Sequence, residues 1–311
     1  MKRVIYTSFR AMGCGITIQL ETDADASQGL ALLAELPAQV EVLEASLSRF
    51  RPDSELMRFN DRAGQWCAVS AVLFENIHAA KHAARLTNGA FNPLVLPALL
   101  ANGYARSFGE IGQPDASAPV PAADWQAIEL RPESCEVRIP AGSAIDLGGS
   151  AKGWAASHLA DGLSPYGACL VNIGGDMVAR GAPEGQPGWE AQIADPHTGD
   201  PLVSLWLRDT SLVTSGTDFR RWTTADGTQR HHIIDPRTGL PARSDVLSVS
   251  ISHPDATTAE AYAKAVLLRG AEAGLTWLQA QWNSGGLVVR HDGAVLTTPD
   301  FAHLYYERNL P

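Results

Sequence analysis

The chain has 311 residues, 45% hydrophobic and 19% charged, which suits one large core or two fused lobes and is short for three domains. Its formal net charge of -10 opposes polyanions in general, so nucleic acid is excluded as the expected partner. An anionic nucleotide would need a local cradle of backbone N–H groups or a cation.

The start, Met1 to Arg10, is basic but has no apolar run of signal-peptide length, and no stretch is long enough to span a membrane. A cytoplasmic location is the expectation, or a periplasmic one if a leader has been removed. The four cysteines, Cys14, Cys67, Cys135 and Cys169, share no metal-finger spacing and read as reduced core residues.

In chain order, residues 12–20 alternate like a strand entered through a glycine turn. Leucines and valines from Leu30 to Leu47 follow the helical period, predicting a helix over 27–47. A second helix is predicted over 70–86, stopped by Asn88-Gly89. Residues 113–123 are rich in Pro, Ala and Ser and predict a surface loop. Short strands follow near 126–130 and 135–139, and a strand-like run ends at Ile145-Asp146-Leu147. Then come a helix over 152–163, a strand over 168–173 and a hairpin from 189–194 and 202–208. Residues 246–252 alternate as a strand, and 257–269, capped by Thr257 or Thr258, read as a helix. A helix over 271–281 and a hairpin over 286–298 turning at Asp292-Gly293 complete the chain. Strands and helices are plentiful without strict alternation, so the fold class is α+β.

Four constellations carry polar chemistry. In IDLGGSAKGW, residues 145–154, an acid precedes two glycines and a helix start. Asp146 could accept from a ligand and Lys152 could meet a phosphate, although a tight turn with a surface Lys explains the run equally. VNIGGDMVARG, residues 171–181, places two more glycines at a strand end, as a β-bulge or hairpin also would. His231 and His232 start an apolar strand, and alternation points one to each face, so at most one of them is a general base in any single pocket. A satisfied structural His is the alternative. Glu260 and Lys264 stand four apart on a helix with apolar neighbours and share a face.

Taken in order, AMGCGITIQL, LSRFRPDSELMRFN, GAFNPLVLPALLANGYA, IDLGGSAKGWAASHL, VNIGGDMVARG, VTSGTDFRRW and HHIIDPRTGLPA resemble the ApbE family of flavin transferases, from Met12 to about Gly270. The resemblance implies one ApbE-type (T-fold-like) domain over 1–311, with two similar α+β lobes and the FAD site between them. It implies transfer of FMN from FAD to a Thr or Ser of an acceptor protein, with release of AMP and Mg²⁺ on the pyrophosphate. By the same resemblance, Met12, Phe50, Ala90, Phe91, Asn92, Asp146, Lys152 and Ile233 would line or contact FAD. His232 would be the base, with His231 the second choice, and the carbonyl at Gly149 would face the metal. Four positions depart from the family's pattern. Asn92 and His158 stand where Asp is usual, Glu260 stands at the metal-binding Asp, and Lys264 stands at the metal-binding Thr. Two further readings stand beside the transferase: a non-catalytic or metal-independent FAD-binding relative, and a pyrophosphatase splitting FAD to FMN and AMP.

Overall fold

The computed structural model describes residues 2–23, 26–302 and 304. Met1 and 305–311, the ends of the expected 1–311 domain, lie outside the described residues, as do 24, 25 and 303. The chain separates into two compact units assembled from discontinuous segments. The first comprises Met1–Glu41, Lys152–Ser215 and Asp245–Pro311, and the second Val42–Ala151 and Gly216–Ser244. Each contains both helix and strand, as the α+β class requires.

The first unit is organised on an eight-stranded sheet. Its strands are β1 (Arg3–Ala11), β2 (Cys14–Thr22), β3 (Cys169–Ile173), β4 (Asp176–Arg180), β5 (Ser211–Gly216), β6 (Val246–His253), β7 (Gly285–Arg290) and β8 (Val295–Thr297), and their order across the sheet is their order in the chain. The strand predicted over 12–20 begins two residues later. Met12 and Gly13 form the turn, with φ of 51° and 69°, and β1 pairs with β2 from Arg3↔Thr22 to Ala11↔Cys14. β1 carries no buried apolar phase in its sequence because it is an edge strand with no fully buried residue. β6 is the opposite case, buried at seven consecutive positions.

The hairpin Trp189–Ala194 with Pro201–Leu207 alternates cleanly. Trp189, Ile193, Val203 and Leu205 pack with Leu170, Leu212 and Leu287 of the sheet. Helix Ala256–Arg269 is buried almost all round, and small residues make this possible, with Ala259, Ala261, Ala263 and Ala265 fully enclosed. Its cap is Asp255, whose side chain accepts from the Thr258 N–H, and not Thr257 or Thr258. Helix Ala151–Leu163 approaches it closely at Gly153, where a Cβ would stand 2.7 Å from the Ala256 carbonyl oxygen.

The second unit holds helices Glu55–Asn60, Ala71–Leu86 and Leu96–Ala101 with short strand ladders. Ser54 and Ser70 cap the first two. Residues 113–123 contain neither helix nor strand. The strand predicted up to Leu147 does not form. Asn60 replaces a strand partner there, its Oδ1 accepting from the Ile145 N–H at 2.8 Å and its Nδ2 donating to the Ile145 carbonyl at 2.9 Å. The region near 126–130 is a 3₁₀ turn, Trp125–Ala127, followed by strand Glu129–Arg131. Among the described residues no helix is long and apolar enough to cross a membrane.

Candidate functional site

In the second unit, Asp146 lies at the centre of a group of polar and aromatic side chains. It is 7% exposed. Its Oδ1 accepts from the Gly148 N–H at 2.9 Å, which forms the turn through Gly149, itself half-buried. Its Oδ2 takes Nε of Arg49 at 2.6 Å. Its own N–H donates to the Pro93 carbonyl, beside Asn92. Asn92 is buried and structural. Its Oδ1 accepts from the Leu94 N–H and caps the 3₁₀ turn Pro93–Val95, and its Nδ2 donates to the Ala123 carbonyl. An amide performs this cap as an aspartate would, and it also supplies a donor. Phe91 is buried, held at its N–H by the Thr87 hydroxyl, while Ala90 is half-buried.

Arg49 lies within the motif LSRFRPDSELMRFN, but the sequence gives it no role. Its guanidinium lies over the rings of Phe50 (4.0 Å to the centroid) and Tyr104 (4.5 Å). Nη1 donates to the Tyr104 carbonyl at 2.9 Å. Nη2 is buried without a hydrogen-bond partner among the described residues, a donor held ready for an incoming acceptor. Tyr104 stacks on Trp222 at 5.1 Å, and the Trp222 indole N–H donates to the Asn102 carbonyl. Burial raises the Tyr104 phenol above its ordinary pKa, against the pull of Arg220 and Arg49. Phe50 keeps 41% of its surface exposed, so an apolar ring face is available to a planar ligand.

Trp222 lies in strand Arg221–Thr223, which pairs with Gln229–His231 and sets Arg221 opposite His231. The two histidines therefore do not open a continuous apolar strand. His231 ends one short strand, His232 occupies a bend, and Ile234–Asp235 begins another, so simple strand alternation does not orient them. The His231 ring is committed to the backbone. Nε2 faces the Ala242 carbonyl at 3.0 Å and Nδ1 accepts from the Ile233 N–H at 3.3 Å, an arrangement that assigns the proton to Nε2. Buried Ile233 is held on its other side by the Ala242 N–H. Both nitrogens of the His231 ring thus face backbone atoms, and His232 is the candidate that sits in the bend itself. Five separated motifs meet in this one unit, joined by Arg49, Tyr104 and Trp222.

Met12, Lys152, Glu260 and Lys264 belong to the first unit. Met12 is half-buried in the β1–β2 turn. The Lys152 ammonium bonds Asp176 Oδ2 and lies 3.6 Å from Glu260 Oε1. Asp176 and Glu260 are 1% and 2% exposed, so two buried carboxylates depend on one ammonium. Glu260 Oε2 accepts from the Gly153 N–H at 3.1 Å. That N–H lies in the first turn of helix Ala151–Leu163, whose donors have no partner within the helix, so Glu260 caps the helix from outside. Lys264 is half-buried, and its Nζ donates to the backbone carbonyl of Glu260 at 3.1 Å, the carboxylate being turned to Lys152 and Gly153.

These groups do not fit Mg²⁺. A hard dication needs several oxygen donors in octahedral array. Here the Glu260 carboxylate is engaged by an ammonium and an N–H, and the residue one turn along is a donor-only lysine. Among the described residues no group of three His, Cys, Asp or Glu side chains could hold a metal ion. All four cysteines are free. Cys67 and Cys169 are buried as expected, whereas Cys14 and Cys135 are only half-buried.

A fold of this kind, with an acid–glycine turn and a histidine bend in one unit and a lysine–carboxylate cluster in the other, is that of a two-unit α+β protein. The ApbE family model matches residues 12–287, and the chain belongs to that family. It is 33% identical to an FAD:protein FMN transferase of Treponema pallidum, over 82% of this chain and 76% of that protein. It is 28% identical to one of Vibrio cholerae, over 93% of this chain and 88% of that protein. Among solved structures, the ApbE protein of Thermotoga maritima superposes with a TM-score of 0.83 at 25% identity, covering 98% of this chain and all of that one.

Proposed function

We propose that this protein is an FAD:protein FMN transferase that joins FMN, taken from FAD, to a threonine or serine of an acceptor protein and releases AMP. The observation that carries the proposal is the joining of Asp146, Arg49, Tyr104, Trp222 and the His231–His232 bend within one unit, in a chain of the ApbE family.

In this reading the exposed face of Phe50 receives an aromatic ring of FAD, with Ala90, Phe91 and Ile233 as further lining. Arg49 Nη2 donates to an acceptor atom of FAD, and Asp146, held by Arg49 and Gly148, accepts from a donor of it. His232 takes the proton of the acceptor hydroxyl as its oxygen attacks the FMN-side phosphorus. The bond from that phosphorus to the bridging oxygen breaks, and AMP leaves with the oxygen. His231, committed at both ring nitrogens, supports the bend and does not move protons.

The test mixes the protein with FAD and an acceptor domain used by an ApbE relative, and intact-mass spectrometry follows the covalent addition of FMN. His232→Ala is expected to slow transfer about 10²–10⁴-fold while FAD still binds, as loss of a general base does. FMN addition at an unchanged rate in that variant would remove His232 from the mechanism. No addition by the unaltered protein to any acceptor, with FAD split instead, would identify a pyrophosphatase.

A further inference from the structure

The cluster around Glu260 disagrees with the metal chemistry that its family implies. We infer that this chain stabilises phosphate charge without a divalent metal, using the ammonium groups of Lys264 and Lys152. The inference rests on the transferase reading and adds the source of its positive charge.

Three observations support it. Both oxygens of Glu260 already have partners, Lys152 on Oε1 and the Gly153 N–H on Oε2. A dication on this carboxylate would have to share it with an ammonium and with the N–H of a helix start. Asp176, the other buried carboxylate, is also taken by Lys152. Lys264 is anchored one helical turn from Glu260 by its bond to the Glu260 carbonyl, so an ammonium with three donors is fixed in place rather than trailing in solvent. The four side chains already sum to zero charge, two ammoniums against two carboxylates, so the cluster has no net negative charge to draw a dication.

The experiment uses the full chain. FAD affinity is measured by flavin fluorescence in Mg²⁺ and in EDTA, and Mn²⁺ is titrated into the FAD-loaded protein under electron paramagnetic resonance. The expected result is equal FAD affinity in both buffers and no protein-bound Mn²⁺. Lys264→Gln should weaken FAD binding about tenfold, the effect of losing one charged hydrogen bond, with little change in melting temperature, and Lys264→Arg should restore it. The double variant Glu260→Asp with Lys264→Thr should acquire one Mn²⁺. One Mn²⁺ bound by the unaltered, FAD-loaded chain would overturn the inference and leave the transferase reading intact. So would unchanged FAD affinity in Lys264→Gln. Failure of the unaltered chain to bind FAD in either buffer would overturn the transferase reading, and the inference with it.

Discussion

The two units solve one electrostatic problem in different ways. Each buries a carboxylate against a cation. In the second unit Arg49 meets Asp146 through Nε, a Tyr104 carbonyl through Nη1 and two aromatic faces through its plane. A planar fork suits such a site because every contact has a fixed direction. In the first unit Lys152 serves Asp176 and Glu260 together, and a point charge with rotatable donors suits two acceptors at different distances. The first arrangement orients, and the second neutralises. Substitutions should therefore fail in different ways at the two places.

The largest effect should come from Lys152→Met. It leaves two buried carboxylates without their shared cation, and removing one member of a buried pair costs about 3–5 kcal/mol. Urea unfolding at neutral pH should show the loss. A loss below about 1 kcal/mol would mean that water reaches the cluster and that the comparison is false. Arg49→Met should cost somewhat less, because Asp146 keeps the Gly148 N–H. Arg49→Lys should restore stability better than FAD affinity, since an ammonium balances Asp146 but cannot reproduce the stacked fork. Equal recovery of both would show that Arg49 also only neutralises.

The smallest effect belongs to Glu55, a carboxylate of the second unit with no buried cation. Burial would raise its pKa, but the Ser70 hydroxyl and N–H and the Ser46 hydroxyl, with the charge of Arg58, bring it below its ordinary value of 4.5. A lowered folded pKa gives stability that is present above 4.5 and is lost as pH falls through the folded value. The group is half-buried and partly screened by solvent, so Glu55→Gln should cost no more than about 1 kcal/mol at pH 7. The difference from the unaltered chain should begin to shrink near pH 4.5 and vanish once the pH is below the lowered folded value, as followed in thermal melts. A difference that grew in acid would contradict the sign of this shift.

Much of this was legible in the residues. The buried helix at 257–269 announces itself by its alanines, and the hairpin at 189–194 and 202–208 by alternation. Both patterns exist because one packed neighbour repeats along the element. The shared face of Glu260 and Lys264 was legible too, but their partners were not. Glu260 answers to Gly153 and Lys152, more than a hundred positions away, and no local period encodes that. Arg49 is hidden for the same reason. It is one arginine in a loop, and only the fold sets Phe50, Tyr104 and Asp146 around it. The apolar run before Leu147 looked like a strand because Asn60, a side chain, performs the bonding that a neighbouring strand usually does. The histidine bend escaped strand alternation because the chain breaks its ladder at His232.

The order of the eight strands has a consequence for biosynthesis. Because each strand from β1 to β8 lies next to its predecessor in the chain, a nascent chain leaving the ribosome can extend this sheet at one growing border only. After the β1–β2 hairpin that growth halts while the whole of Val42–Ala151 emerges, and it halts again after β5 while Gly216–Ser244 emerges. Such long-range closure slows assembly and leaves the border open to other chains meanwhile. Translation speed through these two insertions, and chaperone occupancy during them, should therefore govern the yield of folded protein more strongly than the same changes made within the strands.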